Sequence, residues 1–293
     1  MRVATKLAER DGFFDRPLVI LSAPRSGSTL LYELLTRSPL TWSIGGESHF
    51  IIEDLAGLDP SDGRVRSNRL TEARDDVAHV IRAGFAIAAR RADGQRLVEL
   101  SPMARPASIR FVEKTPKNML RVPFMRAIFP DCRFILLARD PREAMSSMIE
   151  AWESGKFVTY AKLPGFTGPW SLLLPDGYER FSGRPIEERV AFQWAEANRV
   201  ALDDLSAIAP GEWCRVDYAE LVSSPVSVLR RIAAMADLDL SDVIAIADKG
   251  DLPLSTHTLS PPRAGKWRRH VSRLQSVLPL VREIEERLAA SAS

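Results

Sequence analysis

Near its start, the chain has an apolar, strand-like run that passes through a short polar turn into a helix-like run. It reads PLVILSAPRSGSTLLYELL, from Pro17 to Leu35. A tight glycine-containing turn between a buried strand and a helix exposes backbone N–H groups at the positive end of the helix dipole. Such a junction suits phosphate or sulfate. The turn therefore predicts an anion-binding site.

Two further segments repeat the order of a short apolar run followed by a helical pattern. Arg133 to Ala138 precedes a helix over Arg142 to Trp152, and Trp213 to Val216 precedes a helix over Pro225 to Met235. Together with the first strand, Leu18 to Ala23, they alternate as strands and helices do around a parallel sheet, whose ligands collect at the carboxyl ends of the strands. We therefore expect an α/β fold with a central parallel sheet and flanking helices.

Length and composition favour one domain with two inserted regions. The 293 residues are 45% hydrophobic and 27% charged, which suits a single domain over residues 1–293. A charged, alanine-rich stretch at about residues 53–110 reads as a helical insert, with a helix from about Thr71 to Arg91. A stretch rich in glycine, proline and aromatic residues at about residues 154–189 reads as an ordered, lid-like loop. An amphipathic helix near the end, from about Val271 to Leu288, is expected to pack on the core.

The overall charge points to no polyanionic or membrane partner. Forty Lys and Arg against 38 Asp and Glu leave a net charge of +2, so any anion site must be local. No apolar run approaches the about 20 residues of a spanning helix, and the first 15 residues hold no continuous hydrophobic segment. We expect a cytoplasmic protein that binds no nucleic acid and has no membrane span. Cys132 and Cys214 lack metal-ligand spacing and are expected in the core.

The turn departs from the loop that binds nucleoside triphosphates, GxxxxGK[ST]. Gly27 and Thr29 match that pattern, whereas Ser22 stands at its first glycine and Ser28 at its lysine. The lysine normally neutralises the β- and γ-phosphates, and here the positive charge comes three residues earlier, at Arg25. The departure disfavours a kinase.

The turn APRSGSTLL resembles the 5′-phosphosulfate loop of the sulfotransferases that use 3′-phosphoadenosine 5′-phosphosulfate (PAPS). It is similar to the PRSGTT form of the Golgi-type and bacterial branches, with Ser28 in place of a threonine. The resemblance implies that the loop holds the 5′-phosphate and the sulfuryl group, and that Arg25 also counts as catalytic. The residues carried over are Arg25, Ser26, Gly27, Ser28 and Thr29.

Two later junctions resemble further motifs of the same family. RFILLARDPREAMSSM is similar to the 3′-phosphate motif, in which Arg139 forks onto the phosphate and Ser147 adds a hydroxyl. Ser146 stays open as the alternative if the helix begins elsewhere. WCRVDYAELVSSP resembles the segment whose tyrosine lies against adenine, here Tyr218, although a half-buried core tyrosine fits the pattern too.

A fourth segment, SPPRAGKWRRH, resembles the C-terminal loop that closes over the 3′-phosphate. The resemblance carries over Arg263, Gly265 and Lys266, while a solvated basic face remains the alternative. The four motifs occur in the family's order and span residues 17–269.

The resemblance also implies catalytic residues. Lys114 of FVEKTPKN matches the family's lysine, the cation that serves the leaving oxygen. Pro116 stands where cytosolic members carry their histidine base, so the base must lie elsewhere. Golgi-type members place a glutamate about 20 residues after the phosphate loop, which falls on Glu47 of IGGESHF. His49 competes for the role, and a third interpretation is that the stretch only binds the acceptor or caps a helix.

The function implied is sulfuryl transfer from PAPS, as co-substrate and without a metal, to a small-molecule or carrier-bound alcohol or phenol. Aromatic residues in the lid-like loop favour an apolar or aromatic acceptor. Two alternatives remain: a P-loop kinase of a small hydroxyl compound, and a non-catalytic nucleotide-binding module. The presence of Glu47, His49 and Lys114 disfavours the module. The oligomeric state stays open.

Overall fold

A parallel sheet organises the chain. The computed structural model describes Leu7, Arg10, residues 12–250 and residues 265–291. Five parallel strands lie in the order β2-β3-β1-β4-β7, and β5 and β6 form a separate antiparallel ribbon. The strands are β1 (Leu18–Leu21), β2 (Thr41–Trp42), β3 (Arg110–Lys114), β4 (Arg133–Ala138), β5 (Val158–Tyr160), β6 (Trp170–Ser171) and β7 (Trp213–Asp217).

Helices connect the strands and cover both faces of the sheet. The α-helices are α1 (Ser28–Leu35), α2 (Asp75–Ala88), α3 (Val122–Ile128), α4 (Pro141–Glu153), α5 (Ile186–Leu205), α6 (Tyr218–Ser223), α7 (Pro225–Ala236), α8 (Ser241–Asp248) and α9 (Val271–Ala290). A π-helix spans Phe50–Leu55, and 3-10 turns include Pro116–Leu120 and Lys266–His270. Within the described parts of the chain, no helix is both long and apolar enough to cross a membrane.

The alternation of side chains along the central strands divides the core into two layers. In β1, Leu18 and Ile20 point into a cluster with α1, α7 and α8, whereas Val19 and Leu21 point into a larger cluster with α2 to α5 and α9. All four side chains are almost fully buried. Burying one such aliphatic side chain contributes about 1.5 to 3 kcal/mol, so the continuous apolar run is what holds β1 at the centre.

The structure confirms the expected fold class: a parallel sheet of five strands with flanking helices. The three predicted strands and the helices after them are present within a few residues. Two further strands of the sheet, β2 and β3, the ribbon strands β5 and β6, and the 20-residue helix α5 were not predicted. In the region at 53–110, the helix expected from about Thr71 to Arg91 is present as α2, and the rest is loops and short helical turns.

The order of the sheet brings distant segments together. All five strands are parallel, so the carboxyl ends of β1, β3, β4 and β7 lie along the same edge of the sheet. Ser22, Lys114, Arg139 and Tyr218 stand at or directly after those four strand ends. The candidate site lies along this edge.

Candidate functional site

The turn after β1 forms an open, positively polarised loop. Arg25 and Gly27 adopt left-handed backbone conformations with φ of 64° and 95°. Helix α1 begins at Ser28, with Gly27 as its N-cap and no side chain bonded to its first N–H groups. Ser26 is buried and Thr29 is half-buried. The N–H groups of the helix start are therefore directed at the loop, as an anion site requires.

Arg139 joins the second junction to this loop. It follows β4 directly, and its Nη1 donates to the carbonyl oxygen of Arg25 at 2.8 Å. Its guanidinium lies over the ring of Tyr218 at 4.7 Å and within 3.7 Å of Glu143. Its Nε is buried and lacks a hydrogen-bond partner among the described residues. Arg139 is thus held against the phosphate loop with donor capacity left for a ligand.

The two serines of α4 face different surroundings. Arg25 Nε donates to Ser147 Oγ at 3.4 Å, whereas Ser146 is buried at 2% exposure. The register of α4 therefore favours Ser147 over Ser146 as the residue beside the loop.

Tyr218 begins α6, and its ring packs against Gly27 so closely that a Cβ on residue 27 would lie 2.3 Å from a ring carbon.

The C-terminal motif lies against acidic residues of α4. The backbone N–H of Gly265 donates to Glu143 Oε1 at 2.9 Å, and Lys266 Nζ donates to Glu150 Oε2 at 3.1 Å. Glu143 and Glu150 lie on the same face of α4 as Ser147, and Glu143 is also the residue near Arg139. Arg263 lies outside the described residues.

The proposed catalytic residues meet in one row. Lys114, the last residue of β3, donates from Nζ to Glu47 Oε1 at 2.6 Å. The other oxygen of Glu47 lies 2.8 Å from His49 Nε2. The Lys114 side chain is 3% exposed, while those of Glu47 and His49 are 31% and 40% exposed. The structure therefore brings all three residues together, with the carboxylate in the middle.

The pKa of Glu47 is lowered, although burial alone would raise it. Burial does favour the neutral acid, but the hydrogen bond from His49 and the charge of Lys114 outweigh it and lower the pKa to about 2. Glu47 is consequently an ionised carboxylate at neutral pH.

A second buried carboxylate fixes the backbone around this row. Glu113 Oε1 accepts from Ser48 Oγ at 2.6 Å, from Thr115 Oγ1 at 2.7 Å and from Asn118 Nδ2 at 3.1 Å. Thr115 Oγ1 also accepts from the backbone N–H of Ser48 at 2.8 Å. Burial raises the pKa of Glu113 despite these bonds. The residues that flank Glu47, His49 and Lys114 are thereby tied to one another.

A buried ionic network lies close in sequence to Lys114, Glu47 and His49. Lys117 Nζ contacts both oxygens of Glu53, at 2.7 and 2.6 Å, and Arg121 Nη2 donates to the same carboxylate at 3.0 Å. The hydroxyl of Tyr160, in β5, accepts from Lys117 at 2.8 Å and from Asn68 at 2.6 Å. The network links the π-helix, the turn after β3 and the lid-like loop.

Most large aromatic residues of the lid-like loop are buried. Trp170, Tyr178, Tyr160 and Phe166 pack largely against one another and the core and so stabilise the loop. Phe157 is the exception that reaches the site, since the guanidinium of Arg25 lies 4.8 Å over its ring.

The structure adds site residues that the sequence analysis missed. Glu143 and Glu150 hold the C-terminal segment, and Phe157 contacts Arg25. A signal for the two glutamates was present: with Ser147 they lie at i, i+4 and i+7, one face of a helix. Phe157 had no such signal, because its contact depends on the path of the loop.

Comparison with known sequences places the chain in a family. The family model described as "Sulfotransferase family" matches residues 17–242. A Caenorhabditis briggsae protein named putative protein-tyrosine sulfotransferase is 26% identical over 78% of this chain and 68% of its own length. An uncharacterized protein of Aquifex aeolicus is 22% identical over 96% of this chain, which spans only 34% of that protein's length.

Solved structures share the fold at low identity. Sulfotransferase STF9 from Mycobacterium avium has a TM-score of 0.57 at 16% identity, covering 99% of this chain and 81% of its own. Sulfotransferase STF1 from Mycobacterium tuberculosis H37Rv has a TM-score of 0.52 at 16% identity, covering 99% and 82%. The match to the family model extends over well more than half of the chain and includes the phosphate loop, Lys114 and Arg139, and on that ground the chain belongs to the sulfotransferase family.

Proposed function

We propose that the protein transfers a sulfuryl group from PAPS to a hydroxyl group of a small-molecule or carrier-bound acceptor and releases 3′-phosphoadenosine 5′-phosphate. The observation that carries the proposal is the bond between Arg139 and the backbone of Arg25, 114 residues apart. It joins two groups suited to anions at one edge of the sheet, as a donor with anionic groups at both its 5′ and 3′ positions requires.

The side chains present fit such a donor. The uncapped start of α1 and the loop from Arg25 to Thr29 suit the 5′-phosphosulfate. Arg139, with its buried and unpartnered Nε, and Ser147 suit the 3′-phosphate, and Tyr218 suits the base. Gly265 and Lys266 bond to α4, the helix that carries Ser147, and complete the group of residues suited to the 3′-phosphate.

When bound, the donor supplies the sulfuryl group, and this chain's residues handle the charge and the proton. Glu47 takes the proton of the acceptor hydroxyl as that oxygen bonds to sulfur. Lys114 donates a hydrogen bond to the oxygen that leaves, since its ammonium has three N–H donors and the bond to Glu47 uses one. Arg25 stabilises the charge on the transferring group.

Radiolabelled transfer tests the proposal. Purified protein is incubated with [³⁵S]PAPS and, as acceptors, 2-naphthol, 1-octanol and a tyrosine-containing peptide, with and without EDTA. We expect label in at least one acceptor, at a rate that EDTA leaves unchanged because Lys114 is the proposed leaving-group cation. Phosphate transfer from [γ-³²P]ATP that EDTA abolishes and magnesium restores would replace the proposal with the kinase.

A variant of the base separates transfer from binding. Glu47→Gln keeps the size of the side chain and removes its basicity, so turnover should fall about 100-fold or more while the affinity for 3′-phosphoadenosine 5′-phosphate is retained. A Glu47→Gln protein with near-normal turnover would remove Glu47 from the mechanism.

A further inference from the structure

The carboxylate of Glu47 is divided between two donors from different parts of the fold. Lys114, at the end of β3, bonds to Oε1 at 2.6 Å, and His49, two residues after Glu47, lies 2.8 Å from Oε2. Both histidine and lysine thus act on the same group, and the chemistry of the histidine bond decides which of Glu47 and His49 can receive a proton.

The ionised carboxylate fixes the tautomer of His49. A carboxylate without its proton only accepts hydrogen bonds, so Nε2 of His49 must carry the hydrogen that it donates to Oε2. In the neutral ring, Nδ1 is then the nitrogen with the lone pair. Nδ1 is buried and has no hydrogen-bond partner among the described residues. The basic nitrogen of His49 is therefore closed to an acceptor hydroxyl.

From this geometry we propose that His49 is a positioning residue, whose Nε2–H holds Oε2 of Glu47 while Glu47 itself receives the acceptor's proton. The proposal rests on the proposed function for the proton transfer, whereas the direction of the hydrogen bond stands independently of it. It removes His49 as a competing base and gives it a separate role in the same site.

The local backbone is built to hold the imidazole in place. His49 is the N-cap of the π-helix Phe50–Leu55, with helical φ and ψ of −50° and −51°. The next residues after Phe50, Ile51 and Ile52, are fully buried, and the preceding Ser48 bonds to Thr115 and Glu113. A single π-helical turn is uncommon and is found at functional sites, where it directs side chains. The ring is thus fixed from both sides along the chain.

Four charged groups set the environment of the pair. Lys114 faces Glu47 from β3, and Arg25 of the phosphate loop interacts with the charge of Glu47. Glu53 on the π-helix interacts with His49, and Glu53 is itself neutralised by Lys117. Loss of the His49 bond removes one of the interactions that lower the pKa of Glu47, so this pKa should rise from about 2.

Nitrogen NMR tests the bond directly and needs no substrate. The chain has four histidines, and His49→Gln identifies the imidazole signals of residue 49 in ¹⁵N-histidine-labelled protein. At a pH where the ring is neutral, we expect the tautomer with hydrogen on Nε2 and a bare Nδ1, and we expect this preference to be lost in Glu47→Ala. Hydrogen on Nδ1 in the wild-type protein would overturn the proposal.

Two substitutions at residue 49 form a matched kinetic pair. The amide of His49→Gln can reach Oε2 as Nε2 does, whereas the shorter side chain of His49→Asn cannot. Turnover should fall about 10-fold or more in His49→Asn and be largely restored in His49→Gln, with His79→Gln as the control for a histidine loss elsewhere. The rate of His49→Asn should also begin to fall at a higher pH on the acidic side, because Glu47 becomes protonated there.

The double variant distinguishes positioning from an independent role. In a protein that already carries Glu47→Gln, adding His49→Asn should reduce turnover little further, because the carboxylate that His49 positions is already absent. Equal and total loss in His49→Gln and His49→Asn would show that His49 is the base. If no acceptor is sulfated by any variant, the proposed function fails, and the NMR tautomer still decides whether His49 holds Glu47.

Discussion

At the scale of single residues, Gly27 shows how closely the phosphate loop is built. Its φ of 95° is unfavourable for any other residue, and a Cβ would meet the Tyr218 ring at 2.3 and 2.4 Å. We predict that Gly27→Ala lowers the free energy of unfolding by about 1 to 3 kcal/mol, measured by urea denaturation.

Gly63 provides the matched control for this substitution. Its φ is 78°, and no atom lies within 4 Å of an added Cβ. Gly63→Ala should therefore lower the free energy of unfolding by about 1 kcal/mol, through the unfavourable backbone conformation alone. Adding Tyr218→Ala to Gly27→Ala should recover the part of the loss due to the clash. Equal losses for Gly27→Ala and Gly63→Ala would contradict the packing of Tyr218 on the loop.

The sequence predicted residue types at the site better than their contacts. Lys114 and Glu47 were assigned separate tasks, and the structure places them in one hydrogen bond. That bond, with the one to His49, reverses the pKa shift that burial of Glu47 alone would produce. Pairing across 67 residues depends on tertiary structure, so neither the bond nor the shift could be read from the sequence.

At the scale of elements, the buried network around Glu53 fastens the lid-like loop to the sheet. Desolvation lowers the pKa of Lys117 to about 8, and the nearby Glu53 opposes this only in part. In the unfolded chain the lysine titrates near 10.5, so between about pH 8 and 10.5 the unfolded state binds more protons. Stability from this residue therefore rises with pH across that window.

The substitution Lys117→Met tests whether the stability contributed by this residue rises with pH. The unfolding free energy of the wild-type protein, minus that of the variant, should increase from pH 8 to 10 in chemical denaturation. Tyr160 does not interfere, because burial raises its pKa and keeps the phenol neutral in this range. A difference that is flat or falls with pH would contradict the lowered pKa of Lys117.

The start of α4 offers a test of how a helix cap stabilises the segment between Arg139 and Ser147. Asp140 is its N-cap, accepting from the backbone N–H groups of Arg142 and Glu143 at 2.9 and 3.3 Å. Asp140→Ala should lower the unfolding free energy by about 1 kcal/mol, whereas Asp140→Asn should change it little, because asparagine caps equally well. A thermal denaturation series of the two variants checks this, and equal losses would exclude capping as the cause.

The elements that sequence reasoning missed share a physical reason. Strand β3 reads RFVEK, and its buried Glu113 and Lys114 break the apolar run that marks a parallel strand. Helix α5 buries Gln193, which donates to the carbonyl oxygens of Ser171 and Leu173 and accepts from Trp152. Polar side chains that are buried through partners elsewhere in the chain cannot be recognised as core from local pattern.

At the scale of the whole molecule, the parallel sheet accounts for the site. Strands β1, β4 and β7 were predicted as buried strands followed by helices, and their parallel pairing alone brings Arg25, Arg139 and Tyr218 to one edge. This part of the site followed from the sequence, because the position of ligand-binding loops is a property of the fold. The position of β3 beside β1, which brings Lys114 to the same edge, required the structure.

Calorimetry tests whether this edge of the sheet binds a nucleotide with both 5′ and 3′ anionic groups. Binding of 3′-phosphoadenosine 5′-phosphate is compared with that of AMP, which lacks the 3′-phosphate, and with that of ATP and magnesium. We predict that the bisphosphate binds the wild-type protein most tightly. Arg139→Ala and Ser147→Ala should weaken it by about 1 to 3 kcal/mol, roughly 10- to 100-fold for the arginine, and should weaken the binding of AMP much less.

The neighbouring serine is the control in that titration, since Ser146 is buried away from the loop and Ser146→Ala should leave the affinity unchanged. The proposed nucleotide site is contradicted if the wild-type protein binds the bisphosphate no more tightly than AMP, or if ATP with magnesium binds more tightly than both.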